Sequence, residues 1–287
     1  MKVVAGSSSH RCAKELAGIL GADVVGVERK VFPDGEVYVR MLGGVRDEHV
    51  VIVQSTHPTN ALVELLFLEE AAHDQGASEI SVVVPYFAYS RQDRVFQEGE
   101  IVSAKAVAQL LELKADRFVT VDPHKEHILG FFGVEAHGVS AVPLLAKHLE
   151  GRGVDTVLAP DKGALDRAQF AAKCLGAEFD HMEKTRLSGT EVVMKPKALD
   201  VKGKTVAILD DIISTGGTIA TAAAELKRQG ARKVVAACTH GLFLNNALER
   251  LRGAGCDEVV CTDSLETSVS SVGCAPVIAD VFEERRS

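Results

Sequence analysis

Val206-Ala207-Ile208-Leu209-Asp210-Asp211-Ile212-Ile213-Ser214-Thr215-Gly216-Gly217-Thr218-Ile219-Ala220 is the stretch that decides the fold. Val206–Leu209 is an apolar run too short for a helix, and it fits a strand buried on both faces of a parallel sheet. From Ile219 to Arg228, Ala and Leu recur at helical spacing. Between strand and helix lie two acids and a Ser-Thr-Gly-Gly-Thr turn. A turn that leaves the carboxyl end of a strand and opens a helix aims free N–H groups at one spot, where the helix dipole favours an anion.

The residue types in that turn sort into two chemistries. Gly216 and Gly217 let backbone amides approach phosphate oxygens, where a Cβ in left-handed geometry would cost about 1–2 kcal/mol. Ser214, Thr215 and Thr218 add hydroxyl donors. Asp210 and Asp211 repel phosphate but suit a pair of sugar hydroxyls or a magnesium ion. A phosphate at one end and a diol or metal at the other point to a ribose phosphate. The sequence has neither a G-x-x-x-x-G-K-[ST] loop nor a G-x-G-x-x-G turn opening a helix, so a nucleotide would be held by other means.

Outward from this stretch the same alternation repeats. Val3–Ala5, Val50–Val53, Ile80–Val84 and Phe118–Val121 read as strands, with helical patterns at Ala61–Ala72 and Ser103–Leu113. Val24–Val31 and Val37–Arg40 flank Phe32-Pro33-Asp34-Gly35-Glu36 as a hairpin. In the second half, strands at Thr156–Ala159, Val206–Leu209, Val234–Ala237 and Glu258–Cys261 alternate with helices at Leu165–Leu175, Ile219–Gln229 and Ala247–Arg252. This is an α/β pattern, a mainly parallel sheet flanked by helices. Gln75-Gly76-Ala77-Ser78-Glu79-Ile80 recurs as Gln229-Gly230-Ala231-Arg232-Lys233-Val234, about half the chain later, as an internal duplication would leave it. The expectation is two similar domains, 1–141 and 142–287. The first copy's turn, Gln54-Ser55-Thr56-His57-Pro58-Thr59-Asn60, lacks the acids and glycines, so only the second is expected to hold a sugar phosphate.

Composition narrows the class. A chain of 287 residues allows two domains. A net charge of −8 argues against general binding to nucleic acid or membrane. The six cysteines are scattered without a C-x-x-C pair, as reduced core residues of a cytoplasmic protein would be, and no histidines accompany Cys256 and Cys261 to build a zinc site. No segment approaches the ~18 apolar residues of a membrane span, and the N-terminus does not read as a signal peptide.

Four further motifs lie in strand-end or hairpin positions. The Phe32–Glu36 tip offers an aromatic to stack on a base and acids to accept from base or sugar. Ser90-Arg91-Gln92-Asp93-Arg94 follows a strand, where Arg91 can clamp phosphate and Gln92 can read a base edge. Asp122-Pro123-His124-Lys125-Glu126-His127 again follows a strand, with His124 a candidate metal ligand. In Ala159-Pro160-Asp161-Lys162-Gly163, Asp161 can hold magnesium. Each alone is equally an ordinary turn.

In this order, together with Ile128-Leu129-Gly130-Phe131-Phe132 and the Asp210–Thr218 loop, they resemble ribose-phosphate pyrophosphokinases over nearly the whole chain. The resemblance implies transfer of the β,γ-diphosphoryl group of ATP to ribose 5-phosphate, with Mg2+ as cofactor. Phe32, Asp34, Gly35, Glu36, Arg91 and Gln92 would bind ATP. His124 and Asp161 would hold the metal. Asp210 and Asp211 would grip the ribose hydroxyls and Ser214, Thr215, Gly216, Gly217 and Thr218 the 5-phosphate. The family's ATP site lies at a subunit contact, which implies a homodimer or larger homo-oligomer.

Lys184 and Arg186 lie between two β-like runs, on an extended segment leading to a bend at Gly189. At i and i+2 they face one side, and both are expected to be catalytic, supplying the charge that stabilises diphosphoryl transfer. The resemblance marks the same lysine, and Arg186 is also expected to meet ribose 5-phosphate. Departures from the family are the glycine-poor Asp161–Arg167 turn, Glu126-His127 where a glutamine is usual, and Thr262-Asp263-Ser264 in place of Thr-Asn-Thr. Two other readings use the same loop: a phosphoribosyltransferase that consumes the activated sugar, and an inactive regulatory paralogue. The first leaves the N-terminal half unexplained, and the second requires catalytic residues to be missing.

Overall fold

The computed structural model describes residues 1–186, 192–195 and 199–283. The chain forms two compact units. One is Met1–Ser140 with Asp263–Glu266 and the segment from Gly273 onward; the other is Ala141–Thr262 with Thr267–Val272. A single cut at 141/142 therefore misses the return of the C-terminal segment to the first unit.

In the first unit, strands β1 (Lys2–Ala5), β2 (Asp23–Val25), β5 (His49–Val53), β6 (Glu79–Val84), β7 (Arg117–Val121) and β8 (Glu135–Val139) form one sheet in the order β2-β1-β5-β6-β7-β8. Every pairing is parallel. The strands are continuous Val/Ile runs because both faces are covered, and Val3, Val4, Val51, Ile52 and Val83 have no exposed surface. Helices α1 (His10–Leu20), α2 (Thr59–Asp74) and α3 (Ser103–Leu111) supply the crossovers. The hairpin β3 (Val27–Val31) and β4 (Val37–Met41) is a separate antiparallel pair. Parallel pairing brings the carboxyl ends of β1, β5, β6 and β7 to one edge, where ligands of open α/β sheets bind. Phe132 stacks on Phe118 with ring centroids 4.0 Å apart, and Ile128 is fully buried. The Ile128–Phe132 run thus anchors the loop after β7 to the core.

The second unit opens with α4 (Val142–Leu149) and repeats the plan with β9 (Thr156–Ala159), α5 (Leu165–Leu175), β10 (Glu178–His181), the hairpin β11 (Glu183–Arg186) and β12 (Val192–Lys195), then β13 (Thr205–Ile213), α6 (Gly217–Arg228), β14 (Lys233–Gly241), α7 (Ala247–Gly253), β15 (Glu258–Thr262) and β16 (Ser270–Val272). The sheet order β10-β9-β13-β14-β15-β16 matches that of the first unit. In each, an antiparallel hairpin interrupts the chain between the second and third strands of the sheet. Alternate strand residues serve two layers: Val206, Ile208 and Ala236 pack on α6 and α7, while Ala207, Leu209 and Val235 pack on α4 and α5. The last helix, α8 (Ala275–Glu283), packs on α1 in the first unit. The sequence reading did not assign β8, α4, β16 or α8.

Candidate functional site

Asp210 and Asp211 lie on the strand itself and not in the turn, because β13 runs on to Ile213 paired with an equally long β14. Neighbours on a strand face opposite sides. Asp211 is buried and faces α5, where Arg167 Nη2 lies 3.7 Å from its Oδ2. Asp210 is half-buried. Burial, first, and then the charges of Asp211 and Asp161 push its carboxyl well above the usual carboxylate range. Asp161 accepts from Gly163 N at 2.8 Å, fixing the turn after β9.

The turn proper is Ser214–Gly216. Arg250 Nη1 donates to Thr215 O, and Leu244 N donates to Ser214 O at 3.0 Å. Gly216 takes φ 73°, and a Cβ there would stand 3.4 Å from Ala247 and Leu251. Gly217 has no such strain; its value is the open approach to its amide. Among the described residues no side chain caps the start of α6, and Gly217 and Thr218 are exposed, which leaves the helix start open to an anion.

The corresponding turn of the first unit is closed. Gln54, Ser55 and Thr56 are fully buried. Ser55 Oγ donates to Ser264 O at 2.7 Å, and Thr56 Oγ1 accepts from Ala88 N at 2.8 Å.

The remaining motifs of the first unit sit at its strand ends and hairpin tip. Phe32 is 45% exposed at the β3–β4 tip, with Asp34, Gly35 and Glu36 exposed beside it. Asp34 Oδ1 accepts from Glu36 N at 3.1 Å, and Phe32 N donates to Glu36 O at 2.9 Å. Arg91 is exposed. Gln92 is engaged: its amide nitrogen donates to Glu100 Oε2 at 3.2 Å. Tyr89 and Asp122, the residues just before the two loops, take left-handed φ of 68° and 37°, a strain for side chains of this kind that clusters at functional loops. His127 Nε2 lies 3.3 Å from Asp93 Oδ2 and brings the two loops together. His124 is half-buried in the first unit and Asp161 in the second. Neither belongs to the Glu70, His73, Asp74 group, which among the described residues is the one set of three such ligands within 4.8 Å of each other, on the exposed side of α2.

Lys184 and Arg186 lie on β11, in register with Met194 and Val192 of β12. The bend expected at Gly189 falls outside the described residues. Sequence reasoning gave no role to Arg167, Glu64 or Arg29, whose partners are distant in the chain.

Two units of parallel β-sheet and helix with the same strand order, one with an acidic strand end leading into a glycine turn and an open helix start, define a two-domain protein of the phosphoribosyltransferase type. Residues 1–114 match the N-terminal domain of ribose phosphate pyrophosphokinase, and residues 131–276 match the phosphoribosyl transferase domain. The chain is 42% identical to the ribose-phosphate pyrophosphokinase of Methanothermobacter thermautotrophicus, covering 98% of this chain and 100% of that one. It is 43% identical to that of Methanopyrus kandleri, covering 99% of each. The crystal structure of phosphoribosylpyrophosphate synthetase from Mycobacterium smegmatis superposes with a TM-score of 0.84 at 33% identity, covering 99% of each chain. The chain belongs to the ribose-phosphate pyrophosphokinase family.

Proposed function

We propose that this chain transfers the β,γ-diphosphoryl group of ATP to the 1-hydroxyl of ribose 5-phosphate, giving 5-phosphoribosyl 1-diphosphate and AMP, a reaction that feeds nucleotide biosynthesis. The observation that carries this reading is the β13–α6 segment, where two carboxylates on a strand end meet an uncapped helix N-terminus. The α6 amides with Ser214, Thr215 and Thr218 hold the 5-phosphate, and Asp210 and Asp211 hold the ribose hydroxyls. The 1-hydroxyl oxygen bonds to the β-phosphorus of ATP and gives up its proton to solvent, while the bond to the oxygen bridging α and β breaks and AMP leaves with that oxygen. Phe32, Asp34, Gly35 and Glu36 hold the adenosine end, with Arg91 and Gln92 completing the ATP site. Lys184 and Arg186 stabilise the charge that grows on the phosphoryl oxygens.

Magnesium suits the donors at Asp161 and His124, where it would neutralise the phosphate chain of ATP. With the ATP site shared between copies, the active form is a homodimer or larger. The cytoplasm, where phosphorylated sugars are made and used, is its setting; no helix among the described residues is long and apolar enough to cross a membrane.

The test is AMP formation from ATP, with ribose 5-phosphate and magnesium each omitted in turn. Dependence on both is expected. Folded protein that forms no AMP would favour an inactive paralogue, and diphosphate release that needs a nucleobase would favour a phosphoribosyltransferase.

A further inference from the structure

Among the described residues the β3–β4 hairpin pairs with no strand of the main sheet, and an isolated two-stranded hairpin is marginally stable in water. Its base is seated on the core: Met41 is buried, and Val27 and Val39 pack beside it. From Lys30 through Glu36 every residue is exposed. Arg29 is therefore the last half-buried residue of β3, three positions before Phe32.

All three guanidinium nitrogens of Arg29 are used. Nε donates to Glu64 Oε1 at 2.6 Å, Nη2 donates to Ala5 O at the end of β1, and Nη1 donates to Val27 O at 3.2 Å. Glu64 is itself fixed: its side chain is 6% exposed, and it accepts from Ser7 N at 3.0 Å, from Ser7 Oγ and from Gln54 Nε2 at 3.2 Å. Gln54 Oε1 in turn accepts from Ser8 N at 3.0 Å. The side chain of Gln54 fills the space at Gly6, where a Cβ would stand 2.0 Å from its Oε1. A carboxylate with this many donors is a rigid seat, and a forked guanidinium bound in it and to the backbone fixes direction as well as distance.

We propose that Arg29, seated on Glu64, is a positioning residue for ATP: it sets the angle at which the hairpin presents Phe32, Asp34 and Glu36. The inference rests on the reading of the hairpin as the adenosine holder given above. Glu64 comes from α2 and Ala5 from β1, so the hairpin is referenced to the sheet edge at two points. Lysine at position 29 keeps the charge but offers a point donor in place of the fork.

The experiment is steady-state kinetics in each substrate for Arg29→Met and Arg29→Lys, with Phe32→Ala as control, accompanied by thermal melting and solution sizing. Arg29→Met is expected to raise KM for ATP about tenfold, the order lost with one charge-assisted hydrogen bond, while KM for ribose 5-phosphate stays within about twofold. Arg29→Lys should fall between wild type and Arg29→Met, at near-normal melting temperature. Glu64→Gln, which keeps the shape of the seat, should raise KM for ATP in the same sense and add little on top of Arg29→Met. An unchanged KM for ATP in both Arg29 variants overturns the inference. So do equal rises in both KM values with a lowered melting temperature, or a smaller oligomer at normal melting temperature. Wild-type enzyme that forms no AMP instead sinks the proposed function, and an unaltered KM for ATP in Phe32→Ala sinks the reading of the hairpin. An Arg29 effect missing beside a clear Phe32 effect sinks only the positioning role.

Discussion

His127 Nε2 stands 3.3 Å from Asp93 Oδ2, and the pair ties the loop after β6 to the loop after β7. Asp93 is largely covered, with 11% of its side chain exposed, and the His127 ring also meets Phe131 edge to face, 5.9 Å between centroids. A single contact of this kind adds little to global stability, about 0–1 kcal/mol, so the value of the clasp lies in holding the Arg91 loop. His127→Ala should leave the melting temperature within about 2 °C and raise KM for ATP about two- to fivefold, the range one such pair spans. KM for ribose 5-phosphate should not move. A change confined to ribose 5-phosphate would place the clasp outside the ATP side.

Asp211 differs from Asp210 in facing α5 and Arg167. Asp211→Asn should weaken ribose 5-phosphate and magnesium use more than ATP binding. Arg167→Met, which leaves a buried carboxylate with one fewer cation, should act in the same direction; unpairing a buried charge costs several kcal/mol in the general case. Substrate titrations of both variants check this, and equal losses for ATP and ribose 5-phosphate would contradict it.

Much of this region is legible in the sequence, because a short apolar run followed by glycines and a helical pattern leaves few other structures open. The extent of β13 is not. Asp210 and Asp211 look like turn residues by propensity, but the ladder to β14 continues past them through Ile212↔His240 and Ile213↔Gly241. Arg167 with Asp211 and Arg29 with Glu64 give no local signal, since their proximity exists only once the sheets have formed. The C-terminal return is hidden for the same reason: Cys274 N donates to Asp263 Oδ1 at 2.7 Å, and Phe282 reaches His49, 6.1 Å between rings. Each is a contact between distant parts of the chain.

Glu69 is a buried acid in the first unit that the proposed chemistry does not use. It is 1% exposed, and among the described residues neither carboxylate oxygen has a hydrogen-bond partner. Burial, with a smaller push from Glu70, raises its pKa to about 9. In the unfolded chain it ionises near the ordinary glutamate value of 4.5. The native state therefore holds a proton that the unfolded state releases, and stability falls as pH rises from about 4.5 toward 9. Glu69→Gln removes this dependence. Between pH 5 and pH 7 the variant should gain on the order of 3 kcal/mol relative to wild type, seen in denaturant melts at the two pH values. A constant difference across that range would show that Glu69 is solvated or paired in solution.

Lys184 and Arg186 alternate along β11 opposite Met194 and Val192, so their positions share one face of the hairpin. The topology adds a second argument. This hairpin occupies the place in the second unit that the Phe32 hairpin occupies in the first, between the second and third strands of the sheet. Two copies of one device thus carry the residues proposed for opposite ends of ATP: an aromatic and acids for the adenosine, cations for the phosphates. If β11–β12 closes over the substrates only as the transition state forms, its cations contribute to turnover more than to affinity. Lys184→Ala should then lower kcat by about 10²–10³, as deletion of one preorganised charge donor does, while both KM values change by less than about fivefold on the same account. Arg186→Ala should lower kcat similarly and also raise KM for ribose 5-phosphate. Saturating steady-state assays with circular dichroism to verify folding provide the check. Near-normal turnover by Lys184→Ala would mean that the hairpin is a structural edge and that the transition-state charge comes from another part of the chain.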